Sequence, residues 1–132
     1  MADNHIPAAT AETFAALDAQ EFALLTTYRR DGTPMPTTIW FAHQGGRLYF
    51  QTGLNAGKVK RIRANGAVTL APSTRIGEVL GDAVAATARV LSAEESGVAD
   101  AALARKYGEQ RQRVMAQMGV RELDFIEISP NA

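Results

Sequence analysis

The chain has 132 residues, 46% of them apolar and 21% charged, and its 14 basic and 14 acidic side chains cancel. That balance suits one soluble globular domain over residues 1–132 and provides no global attraction to nucleic acid or an anionic membrane. With no cysteine and only His5 and His43, disulfides, thiolate metal sites and cysteine nucleophiles are excluded, and a histidine metal centre lacks ligands.

The first expected element is a helix over 8–19, capped by Thr10 and burying Phe14 and Leu17. A strand follows over 21–30, rich in β-branched and aromatic residues, and Asp31-Gly32 supplies the positive φ angles of a tight primed turn. A second strand spans 35–43. Pro34 and Pro36 cannot donate to a ladder, so its start belongs on an edge. Gly45-Gly46 makes the next turn and residues 48–52 a third strand, completing an antiparallel meander. After a loop over 53–57, a short helix over 58–65 presents Val59 and Ile62 to one side, and Asn65-Gly66 closes it in a left-handed conformation.

Residues 68–71 form a fourth strand, 74–80 irregular chain, and 82–91 an alternating fifth strand. Ser92 to Glu95 is a capping box opening a helix with Ala99, Leu103 and Tyr107 on its core stripe, ending at Gly108. A further helical stretch over 109–118 stops at Gly119. The last strand, 122–129, is apolar on both faces, so both are expected to be covered. Six strands with peripheral helices predict a mainly β fold, an antiparallel barrel too small to hold a ligand inside. A site then belongs outside it, in a groove against another subunit. No apolar run approaches the roughly 20 residues of a membrane helix. Met1 to Pro7 has no signal-peptide pattern, so the expected compartment is the cytoplasm.

The stretch from Thr52 to Arg63 carries the chemistry. Lys58, Lys60, Arg61 and Arg63 crowd the start and middle of a short helix. A helix N-terminus carries about +0.5 charge, and each misplaced cation costs roughly 0.3–1 kcal/mol. An anion placed there removes the conflict: Gly53 and Gly57 let its oxygens approach the backbone, N–H groups point at it, and Lys58 neutralises it. A phosphate is the simplest such anion. A solvated basic face is the competing reading for Lys60, Arg61 and Arg63. Of the remaining candidates, Trp40 reads first as a packed strand aromatic and second as a ring-stacking group. His43 reads as solvated, Met115 and Met118 as interface packing, and no general acid stands out.

These segments resemble the split-barrel superfamily of flavin-binding proteins that includes pyridoxine 5′-phosphate oxidase, and within it the coenzyme F420-dependent branch. The resemblance lies in Leu24-Leu25-Thr26-Thr27, Asp31-Gly32-Thr33-Pro34, Thr37-Thr38-Ile39-Trp40-Phe41, Leu48-Tyr49-Phe50-Gln51-Thr52, Lys58, and the run from Arg63 to Leu70. It implies a six-stranded antiparallel split barrel and a homodimer. It also implies an oxidoreductase that transfers hydride from reduced F420 to a small organic substrate. The implied cofactor contacts are Pro36, Thr37, Thr38 and Trp40 along the ring, and Gln51 and Thr52 near the ribityl chain or phosphate. Asn55, Gly57 and Lys58 follow at the phosphate, with Arg61 as second cation. Gly57 and Pro36 stand where the oxidase pattern has phosphate-binding arginines, which weakens the case for an FMN-dependent pyridoxine phosphate oxidase and is compatible with the F420 branch. Arg75 is a further candidate for the anionic tail of F420. The alternatives are an FMN-dependent oxidase or reductase of the same fold, and a non-catalytic carrier of flavin, haem or tetrapyrrole.

Overall fold

Among the described residues, seven strands and three helices make up the fold. The computed structural model describes residues 6–118 and 122–131; the readings at His5 and Gly119, and the side chain of Met118, lie outside them. The elements are α1 (Ala11–Leu17), β1 (Phe22–Tyr28), β2 (Pro34–Trp40), β3 (Ala42–Gln44), β4 (Arg47–Gly53), α2 (Gly57–Ala64), β5 (Ala67–Ser73), β6 (Val84–Val90), α3 (Ser96–Met118) and β7 (Leu123–Pro130). One antiparallel sheet runs in the order β2-β1-β5-β6-β7-β4-β3 and curls until β2 approaches β4. This is the expected mainly β split barrel, with seven strands in place of six.

The extra strand arises at Phe41. The predicted second strand is really two, because the Phe41 backbone leaves the ladder for a side chain. Phe41 N donates to the Tyr107 hydroxyl at 2.9 Å, and the carbonyls of Phe41 and Glu21 each lie 2.8 Å from that oxygen as acceptors. The chain therefore changes partner there. Trp40 pairs with Phe22 of β1, whereas Ala42 pairs with Tyr49 of β4. Pro34 and Pro36 lie on β2, which is an edge strand as their missing donors require.

The hairpin glycines behave differently from each other. Gly45 and Gly46 have φ of 60° and 78°, the pair of positive angles that a primed two-residue turn needs between Gln44 and Arg47. In the β1–β2 hairpin only Gly32 is left-handed, with φ of 89°. Gly32 N bonds Arg29 O and Arg29 N bonds Thr33 O, both at 2.9 Å. That hairpin is a longer turn closed by a left-handed glycine, not the expected primed pair.

Inside the barrel Leu25, Leu48, Phe50, Leu70, Ile126 and Ile128 are fully buried, and α1 and α2 plug it with Phe14, Leu17, Val59 and Ile62. Thr10 caps α1, its hydroxyl and that of Thr13 bonding each other's backbone N–H. Ser92 and Glu95 make the expected reciprocal bonds at 3.3 and 3.0 Å, one turn ahead of α3. The end of α2 differs from expectation. Asn65 is extended at φ −150°, and Gly66 is not left-handed. Gly66 is instead required by close approach, since a Cβ there would lie 2.6 Å from the Ala88 carbonyl oxygen.

A second apolar cluster covers the outer face of the sheet. Ala99, Leu103 and Tyr107 of α3 pack on Ala42 and Tyr49, as their four-residue spacing predicts. Both faces of β7 are covered: Ile126 and Ile128 enter the barrel core, and Phe125 packs against α3. At Gly108, φ 53° and ψ −129° break the helix and turn residues 109–118 across the barrel's flank. No helix among the described residues is long and apolar enough to cross a membrane.

Candidate functional site

The α2 start is the electrostatic anomaly of the structure. Ala56, its N-cap, has no side-chain oxygen to offer, whereas Thr10 and Ser92 supply hydroxyls at the other two helix starts. Only Lys58 and Lys60 stand in the first turn of α2; Arg61 and Arg63 belong to the last turn, where the dipole favours cations, but their guanidinium groups reach back to Gly57 and Asn55. Lys58 is half-buried, and its Nζ donates to Thr52 Oγ1 at 3.2 Å. Arg61 Nε donates to the buried Thr27 Oγ1 at 2.7 Å. Its Nη1 lies 3.1 Å from where a Gly57 Cβ would stand, so any residue but glycine crowds the guanidinium. Burial, and then the Arg61 charge, pull the Lys58 pKa below the ordinary lysine range. Among the described residues none of Lys58, Lys60, Arg61 and Arg63 has a carboxylate partner.

Lys58 lines a cavity of about 230 Å³ with Trp40, Gln51, Thr52, Gly53, Val114, Met115 and Leu123. Four of the ten sequence candidates, Trp40, Gln51, Thr52 and Lys58, are thus brought together. Arg61 and Gly57 adjoin through the helix. Asn55 lies in the preceding turn at φ 58°, held by Asp124 Oδ2 accepting its N–H at 2.8 Å, and Arg63 donates to its Oδ1. Pro36, Thr37 and Thr38 lie further along β2, outside the cavity lining, with Pro36 exposed. Trp40 is both packed and available: it stacks on Tyr107 at 4.5 Å and 9° while lining the cavity.

The sequence reading missed Arg111. Its side chain is 9% exposed, and its Nε and Nη2 donate to Gln51 Oε1 at 2.9 and 2.7 Å. Nη2 also meets Asp100 Oδ1 at 2.6 Å. This fork pins the 109–118 segment over the cavity and holds the Gln51 carbonyl. Nothing local marks it, since Arg111 is 60 residues from Gln51. Met115 lines the cavity. His43 is not solvated as read: its Nε2 is buried and has no hydrogen-bond partner among the described residues.

A second cavity of about 390 Å³ adjoins the first through Trp40 and Val114, and adds Glu21, Phe22, Arg75 and Gln110. A more open depression of about 400 Å³ between α1 and the β5–β6 side has no cation among the described residues of its lining. It offers nothing to an anionic cofactor. No group of three potential metal ligands converges among the described residues.

An antiparallel split barrel with a lysine-lined outer cavity describes a flavoprotein-type fold. Residues 9–132 match the family model described as pyridoxamine 5′-phosphate oxidase, and the chain belongs to that family. Solved structures of the same fold include a conserved hypothetical protein of Mycobacterium tuberculosis, 16% identical with TM-score 0.68, covering 100% of this chain and 86% of that one. HutZ, the heme storage protein of Vibrio cholerae, is 13% identical with TM-score 0.66, covering 92% of this chain and 89% of its own. An F420 reductase is 20% identical with TM-score 0.56, covering 90% and 94%. At these identities the likeness concerns the fold. No curated protein matches the sequence significantly.

Proposed function

We propose that this chain is an oxidoreductase that binds coenzyme F420 against Lys58 and transfers hydride to a small organic substrate. The observation that carries the reading is the cation cluster of α2, which has no carboxylate partner among the described residues. The residues fit the group. Lys58 is a desolvated ammonium whose one partner is a neutral hydroxyl, so it can take a phosphate without breaking an ion pair. Lys60, Arg61 and Arg63 provide more positive charge than a single phosphate requires, which suits the anionic tail of F420 over FMN. When bound, the deazaflavin ring supplies the hydride.

The chain's own residues then bind and shield. Lys58 and Thr52 hold the phosphate, Gln51 is oriented by Arg111, and Asn55, Gly57 and Arg61 bound the anionic end. Pro36, Thr37, Thr38 and Trp40 offer a strand surface along which a flat ring can lie. Val114 and Met115 exclude water from the cavity. The active form is a cytoplasmic homodimer of single-domain chains. Ile76, Val79 and Leu80, exposed together in the β5–β6 loop, support a covered face.

The test is a titration of F420 and of FMN at one ionic strength, with wild type and K58A. F420 binds tighter than FMN to the wild type, and K58A weakens F420 about 10-fold or more, as loss of a charge-assisted contact requires. Tighter FMN binding, with yellow protein on purification, would move the chain to FMN chemistry. Unchanged affinity in K58A would remove the anchor altogether.

A further inference from the structure

The second cavity differs in kind from the one that holds Lys58. Its walls include two aromatic rings, Trp40 and Phe22, set 6.4 Å apart and tilted by 39°. Trp40 is backed by Tyr107, which fixes the plane of the indole. Its polar groups are Glu21, Gln110 and Arg75. Glu21 is engaged, since its Oε2 accepts from Gln110 Nε2 at 3.0 Å. Arg75 is exposed and has no ion-pair partner among the described residues, although Glu21 lines the same cavity. A guanidinium lining the same cavity as two aromatic rings, without a carboxylate partner among the described residues, is complementary to a flat ring bearing an anionic group.

We propose that this cavity binds a planar aromatic carboxylate, with its ring against Trp40 and Phe22 and its carboxylate on Arg75. The two cavities share Trp40 and Val114 as a common wall. A ligand here lies beside whatever occupies the Lys58 cavity, so on the reading above this is the seat of the hydride acceptor. Only that last step rests on the cofactor assignment; the binding itself does not. Glu21 repels the carboxylate and so orients it away from the Gln110 end.

Trp40 is the single tryptophan. Its indole N–H gives one resonance that needs no further assignment and reports on the shared wall. We would titrate ¹⁵N-labelled apoprotein with 2-naphthoate and with the uncharged 2-naphthamide, in wild type, R75A, R75K and K58A. The acid shifts the indole resonance of wild type and binds R75A about 10-fold more weakly, the loss of one charge-assisted contact. R75K recovers part of that loss. The amide binds wild type and R75A alike. K58A leaves the affinity for the acid unchanged. No shift in wild type, or equal affinity in wild type and R75A, overturns the proposal. So does a K58A loss as large as that of R75A, because the acid then sits in the neighbouring cavity. Failure of the cofactor reading shows separately, as undiminished F420 binding in K58A while the naphthoate results stand.

Discussion

Replacing Tyr107 by Phe isolates one oxygen atom that shapes both the fold and the cavity wall. The ring stays, so its stacking on Trp40 is retained. The hydroxyl's bonds are lost: the acceptor for Phe41 N and the donor to the carbonyl of Phe41 or Glu21. Phe41 is fully buried, so its N–H has no water to turn to. Burial also pushes the Tyr107 pKa up, which marks the hydroxyl as a desolvated donor. An orphaned buried N–H costs about 1–3 kcal/mol and a lost neutral hydrogen bond about 0.5–1.5 kcal/mol. Together they predict a loss of about 1.5–4.5 kcal/mol. For a chain of this size that lowers Tm by roughly 5–17 °C. Urea unfolding followed by Trp40 fluorescence measures it, with an unchanged m-value showing that the same surface unfolds. A loss below about 0.5 kcal/mol would refute the reasoning, since an orphaned buried donor costs more than that. The break between β2 and β3 would then have another cause.

Further outcomes follow from the same contacts. Anion binding at Lys58 needs the ammonium form, and the folded pKa lies below the ordinary lysine range. Cofactor affinity therefore falls as pH climbs through that lowered pKa, while K58R holds its affinity to higher pH. A flat profile in wild type into the ordinary lysine range contradicts this. On stability the sign is opposite. The unfolded lysine keeps its proton to higher pH, so in that window unfolding takes up protons and ligand-free stability rises with pH. R111M loses the Gln51 and Asp100 bonds, destabilising by about 1.5–3 kcal/mol and speeding amide exchange over 109–117; unaltered exchange there would show that the segment is pinned by something else. G66A forces a Cβ against the Ala88 carbonyl and lowers stability by about 1–3 kcal/mol. A thermal melt that matches wild type would mean the β6 backbone yields freely.

What the sequence made legible was local. Alternating strands, the Gly45-Gly46 turn, the Thr10 and Ser92 caps and the helix break at Gly108 all depend on residues within a few positions of one another. The core stripe of α3 followed from spacing alone. The Lys58 cavity was partly legible, because the cation run and its adjoining strand end are contiguous in the chain. What escaped were contacts between distant positions. Tyr107 lies 66 residues from Phe41, Arg111 60 from Gln51, and Asp124 69 from Asn55. Each satisfies a polar group that sequence patterning leaves to any donor or acceptor nearby. Asn65-Gly66 shows the other failure, for a glycine selected by close approach of a neighbouring strand reads in sequence like a left-handed cap.

The uncapped start of α2, with no counter-charge among the described residues, also bears on how the purified protein behaves in different buffers. Cations held together without internal compensation raise the energy of the bare fold, and any small oxyanion in solution that settles among them relieves it. Melting in phosphate or sulfate should therefore exceed melting in chloride at matched ionic strength, through preferential binding to the native state. Buffer composition then acts as a weak surrogate ligand, and stabilities measured in different salts describe different states of occupancy.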